Sequence, residues 1–146
     1  QYTAEPDLDL SESRLYPLLD EAVAARASVA LLPECALFLS SDQSTSRAHA
    51  LAIDSPQVER LRSYASTHRI TLIVGSLIMQ IDDQILNRTL VIDAEGQIQT
   101  SYDKIHLFDV DLASGESYRE SALFDAGTHP QLTRINDWSV GAVDLL

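Results

Sequence analysis

Apolar residues recur at helical spacing through Leu15, Leu18, Leu19, Ala22 and Val23, which predicts a helix from about Leu10 to Ala27. Asp9 with Glu12 three residues on reads as its capping box. Ser28-Val29-Ala30-Leu31-Leu32 is apolar on both faces until Pro33 ends it, the pattern of a buried strand. The Ser-rich run from Leu37 to Ala48 predicts a loop with a short helix. Ser55-Pro56 marks a second long helix, with Pro at its first position, and Val58, Leu61, Tyr64 and Ala65 form its apolar face to about His68.

Ile70 to Met79 predicts a strong strand with Gly75-Ser76 inside it. Gln84 to Asp93 predicts another. Asp93-Ala94-Glu95-Gly96 is a hairpin turn, and Gln97 to Tyr102 returns from it. After Lys104 the periodicity fades. Residues 109 to 128 are polar and punctuated by glycine, which predicts a loop carrying a helical turn. Gln131 to Ile135 and Trp138 to Val143 predict two final strands. This alternation of helices and strands is a layered α/β plan, without repeats, low-complexity tracts or linkers.

Charge narrows the partners. Ten Lys and Arg stand against 22 Asp and Glu, a net charge of −12. Such a surface repels phosphate backbones and anionic lipid heads, so neither nucleic acid nor membrane is expected as a partner. At 146 residues and 45% hydrophobic, the chain is long enough for one packed core. Its single cysteine, Cys35, excludes an intrachain disulfide and a cysteine-based zinc site, and fits a reducing, cytoplasmic setting. The histidines at 49, 68, 106 and 129 lack metal-ligand spacing, so no metal or other cofactor is expected. No apolar run reaches the roughly 18 residues of a membrane span. The segment Gln1 to Glu5 lacks the basic and apolar regions of a signal peptide.

Three stretches carry more specific information: Leu31-Leu32-Pro33-Glu34, the run Tyr102-Asp103-Lys104-Ile105-His106-Leu107-Phe108-Asp109-Val110-Asp111, and Tyr118-Arg119-Glu120-Ser121 with Gly127 following. In this order the chain resembles the nitrilase superfamily of carbon–nitrogen hydrolases, most closely its omega-amidase and deaminated glutathione amidase branches. Gly75-Ser76, Asn87, the Leu90-Val91-Ile92-Asp93 run and Gly96 support the resemblance, which extends from Gln1 to about Gly141. It implies half of a nitrilase-like four-layer αββα sandwich. Residues 1–146 would then be a partial carbon–nitrogen hydrolase domain, lacking the first strand and the C-terminal half. It also implies a homodimer that hydrolyses the amide of a small carboxylic acid by Cys–Glu–Lys chemistry.

Carried over by motif, Glu34 matches the general base, Lys104 the lysine beside the oxyanion, and Glu120 the second glutamate. No residue matches the nucleophile. Val140-Gly141 is present, but Leu145 stands where an ungapped match would place the cysteine. The chemistry implied is thiolate attack on an amide carbonyl, with a carboxylate carrying the proton to the leaving ammonia and a cation near the developing oxyanion. A desolvated carboxyl suits the proton carrier, and the end of a buried strand is a suitable place for one. Other readings stand beside this one. Glu34 as a solvated strand-end carboxylate, Lys104 as a surface lysine and Glu120 as a loop partner of Arg119 are each ordinary roles. His106, between Ile105 and Leu107, reads as structural. Cys35 directly follows Glu34. If the strand continues there it faces the opposite way, as a small buried core residue. The 146-residue chain is expected to be inactive as it stands. The alternative is a non-catalytic or truncated homologue that serves as a binding or subunit-association module.

Overall fold

A computed structural model describes residues 2–142. Helix α1 spans Leu8–Ala24 and leads to strand β1, Val29–Leu32. Helices α2, Gln43–Ala48, and α3, Pro56–His68, connect it to β2, Thr71–Ile81. Strands β3, Gln84–Ile92, and β4, Ile98–Asp103, then β5, Asp109–Asp111, and β6, Ser117–Arg119, follow. A 3-10 turn at Glu120–Ala122 precedes β7, Gln131–Ile135, and β8, Trp138–Ala142. The sheet order is β1-β2-β3-β4, parallel between β1 and β2 and antiparallel thereafter. The α/β architecture is as the apolar pattern predicts.

Local chemistry explains most boundaries. Ser55 caps α3, its side chain accepting from the Val58 N–H. Helix α1 starts earlier than its periodicity implies, because Asp7 and not Asp9 is the cap, accepting from the Leu10 N–H at 2.9 Å. Glu12 serves no capping box. It is buried and receives the Arg60 guanidinium at 2.9 and 2.5 Å, tying α1 to α3.

One core lies between helices and sheet: Leu15 and Leu19 of α1 and Val58, Leu61 and Ala65 of α3 meet Leu32, Leu72, Val74, Leu90 and Ile92. Strand alternation sends Leu31 to the other face, where it is 74% exposed. β1 is therefore not buried on both faces as its composition suggests. Among the described residues it is an edge strand, covered on one side only. A second, smaller cluster gathers Cys35, Phe38, Ile78, Ile85, Leu123 and Phe124.

Two irregularities prepare the site. The β2–β3 register shifts between Val74 and Leu77. There the Ser76 N–H donates to the Pro33 carbonyl, and the Ala36 N–H donates to the Ser76 carbonyl. The bulge thus holds the turn after β1 instead of pairing with β3. Gly75 permits this approach, because a Cβ there would lie 2.8 Å from the Leu32 carbonyl oxygen. The segment 109–128 is the second irregularity. It contains a β5–β6 hairpin and the 3-10 turn, where the sequence predicts a loop with a helical turn.

Candidate active site

Glu34, Lys104 and Glu120 arrive from three separate elements. Glu34 lies two residues beyond β1, in the turn that Ser76 holds. Lys104 directly follows β4. Its N–H donates to the Asn87 carbonyl at 3.0 Å, and its carbonyl accepts from the Gly127 N–H at 2.8 Å. Glu120 opens the 3-10 turn after β6.

Their side chains meet. Lys104 Nζ is 3.1 Å from Glu34 Oε1, 3.1 Å from Glu120 Oε1 and 2.9 Å from Glu120 Oε2. Burial works against the ammonium charge, but hydrogen bonds to Glu120 and Glu34 outweigh it and hold Lys104 above the usual lysine range. Glu120 Oε2 also accepts the Phe108 N–H at 2.7 Å, so this carboxylate pins both the lysine and the start of the β5–β6 segment. Glu120 does not pair with Arg119, whose guanidinium instead grips both Asp111 oxygens at 2.6 and 2.7 Å. The Glu34 side chain is 55% exposed, against 19% for Lys104 and 25% for Glu120. Glu34 is thus half-exposed, not the fully buried carboxyl expected at the end of a buried strand; β1 stops two residues before it.

Beside them is an open cavity of about 400 Å³, lined by Glu34, Cys35, Ser46, Phe108, Tyr118 and Glu120 among others. Cys35 belongs to this wall and to the small apolar cluster behind it. The strand does not continue to it. Cys35 sits in a turn with φ 50, so alternation along a strand says nothing of its direction. It is nonetheless buried, and burial first, then the Glu34 and Glu120 charges, push its thiol up to about 12. His106 is exposed, whereas the sequence suggests an apolar setting. His49 stacks on Phe38 with centroids 4.3 Å apart, and His68 leans on Tyr64. Among the described residues no group of His, Cys, Asp and Glu is arranged to hold a metal ion. Leu145 lies outside the described residues.

Two residues acquire a role that the motifs do not assign. Asn87 Nδ2 donates to Glu34 Oε1 at 2.7 Å, and the Ser76 hydroxyl donates to Asn87 Oδ1. The available signal was a polar residue inside each apolar strand, at Ser76 between Gly75 and Leu77 and at Asn87 after Leu86.

The carbon–nitrogen hydrolase family model matches residues 8–143. The chain is 34% identical to a deaminated glutathione amidase of Dictyostelium discoideum, over 75% of this chain and 41% of that protein. It is 28% identical to the chloroplastic omega-amidase of Arabidopsis thaliana, over 99% of this chain and 40% of that one. The crystal structure of the C. elegans NitFhit protein superposes with a TM-score of 0.79 at 28% identity, covering 88% of this chain and 32% of the other. The chain thus spans about two-fifths of the length of these two curated relatives. Together, the match across nearly its whole length and the superposition on a solved relative make this chain a member of the carbon–nitrogen hydrolase family, in the nitrilase superfamily.

Proposed function

We propose that Glu34, Lys104 and Glu120 are the acid–base and charge-stabilising part of an amidase site acting on the amide of a small carboxylic acid. The observation that carries this reading is the ammonium of Lys104 held between two carboxylates from distant segments, both of which line a cavity. A nucleophilic thiol attacks the amide carbonyl after Glu34 takes its proton. Lys104 faces the negative oxygen that develops, and Glu120 keeps Lys104 charged and in place. The C–N bond then breaks as the proton passes from Glu34 to the leaving ammonia. Water releases the acid from the thioester and restores the thiol. Cys35 is unsuited to be that thiol, being buried and protonated. The nucleophile therefore has to come from outside the residues described, and the 146-residue chain alone is expected not to turn over. The relatives' names, omega-amidase and deaminated glutathione amidase, support an amide substrate.

A second reading rests on the exposed apolar side chains Leu31, Leu132 and Trp138, at 74, 73 and 76%. They favour a module whose role is association, with itself as a homodimer or with another subunit. The deciding test is intact mass paired with ammonia release from small ω-amides. A polypeptide of 16.1 kDa that released ammonia at enzyme-like rates would overturn the need for an external thiol. A longer parental polypeptide whose activity is abolished by thiol alkylation and by Glu34→Gln supports the amidase. Such a polypeptide with an intact cysteine and no hydrolysis of any ω-amide favours the association module.

A further inference from the structure

The polar relay behind Glu34 has a direction. The Ser76 Oγ accepts the Cys35 N–H at 3.2 Å, so its own proton is left to donate elsewhere, and Asn87 Oδ1 takes it. With Oδ1 so engaged, the Asn87 amide can present only its Nδ2–H end to Glu34, and it does, at 2.7 Å. Ser76 and Asn87 are 2 and 4% exposed, so water does not compete for the bond between them. Their backbones meet the site as well. Ser76 holds the 33–36 turn at Pro33 and Ala36, and the Asn87 carbonyl holds the Lys104 N–H. One pair of neighbouring strand residues therefore sets the positions of both Glu34 and Lys104.

Both donors that reach Glu34, Asn87 Nδ2 and Lys104 Nζ, converge on Oε1. Among the described residues, Oε2 receives no hydrogen bond. We propose that Asn87, oriented by Ser76, is a positioning residue that saturates Oε1 of Glu34 and fixes Oε2 as the oxygen that exchanges protons with thiol and leaving group. The assignment of proton transfer to Oε2 rests on the amidase reading. The clamp on Glu34 does not.

The test is side-chain NMR on the full chain, comparing the native sequence with Asn87→Asp, Asn87→Ala and Ser76→Ala. The order parameter of the Glu34 γ-methylene is read beside those of core methyls at Val58, Leu61 and Leu90. Asn87→Asp keeps the shape but turns an oxygen towards Oε1, and is expected to drop Glu34 into the flexible range, below about 0.6. Asn87→Ala gives the same direction, and Ser76→Ala a smaller loss because the amide is freed to turn. The core methyls stay unchanged. Glu34 order that survives in a folded Asn87→Ala chain overturns the proposal.

A second measurement needs no change in the core. Replacing the half-exposed Glu34 by Gln is expected to move the Asn87 side-chain N–H resonances; resonances that stay in place overturn the clamp. Neither experiment depends on turnover. A clamp found alongside no amide hydrolysis by a cysteine-bearing parent sinks the functional reading alone. Hydrolysis with a mobile Glu34 sinks the positioning role alone.

Discussion

Cys35 shares a cavity wall with Glu34, yet its thiol is the least reactive form of the group. With its pKa pushed up to about 12, roughly one molecule in ten thousand is thiolate at about pH 8. Iodoacetamide at that pH is expected to label the urea-unfolded chain and spare the native one; equal rates would contradict the burial argument. The same shift has a stability consequence. An unfolded thiol ionises near its ordinary value of 9.0, while the folded one stays protonated until about 12. Folding stability from this group is thus complete below pH 9.0 and is lost as pH rises from there towards 12. Lys104 acts in the same direction at higher pH. Its folded value lies above the ordinary 10.5, so its contribution is complete below 10.5 and is lost as pH rises through the folded value. The urea midpoint is therefore expected to hold steady to about pH 9 and fall beyond it. Replacing Lys104 by Met leaves the partly buried Glu120 carboxylate with the Phe108 N–H but no cation, at a cost of about 1–3 kcal/mol measured by denaturation. At this scale the motifs single out Glu34, Lys104 and Glu120 because each sits in a distinctive local run, and the fold brings these three side chains into contact. Ser76 and Asn87 were not given roles, because a polar residue within a strand acquires a partner only once the register to its neighbours exists. The exposure of Glu34 was not legible because the turn after β1 is held by the Ser76 bulge in β2, two helices further along the chain.

Among the elements, local sequence rules fail where a distant partner decides the structure. Helix α1 was misplaced at its start because Asp9-x-x-Glu12 fits a local rule, while Glu12 is engaged by Arg60 on another helix. The β5–β6 hairpin escaped detection because three-residue strands are too short to show alternation. A non-local pair, Arg119 with Asp111, and the Ser117 hydroxyl on Asp111 close the hairpin instead. The long strands β2 and β3 and the Ser55-Pro56 start of α3 were legible, since burial face and cap are written in consecutive residues. Gly127 shows how a motif residue is recognised before its reason is. Its backbone lies so close to β4 that a Cβ would meet the Asp103 carbonyl oxygen at 2.1 Å, while its N–H holds the Lys104 carbonyl. Gly127→Ala must push this segment away from β4, with an expected loss of about 1–3 kcal/mol. The Lys104 ammonium resonance should shift with it, because the residue is displaced from Glu34. An alanine variant with native stability and an unmoved Lys104 signal contradicts the close approach.

The molecule as a whole carries two opposed tendencies. Its net charge of −12 keeps copies apart at long range. Its surface also presents Leu31 on the uncovered side of β1 and Leu132 and Trp138 on the β7–β8 hairpin, each about three-quarters exposed. Side chains of this size left in water favour contact once copies approach. The balance is set by screening. At about 0.15 M salt the Debye length is about 8 Å, short enough that repulsion fades beyond close contact while apolar attraction remains. Association is therefore expected to grow with both protein concentration and salt, read by sedimentation as mass above the 16.1 kDa monomer. Trp138 is the only tryptophan, so its emission reports on one face alone. Dilute, low-salt protein should show the red-shifted emission of a solvated indole, moving to shorter wavelength as the sedimenting mass rises. Trp138→Lys together with Leu132→Glu should hold the chain monomeric without loss of fold, because both side chains make little contact in the monomer. A native chain that stays at 16.1 kDa through a hundredfold rise in concentration at high salt would show that the exposed apolar residues are tolerated singly and form no interface. A mass that rises without any change in Trp138 emission would move the contact to the Leu31 face of the sheet.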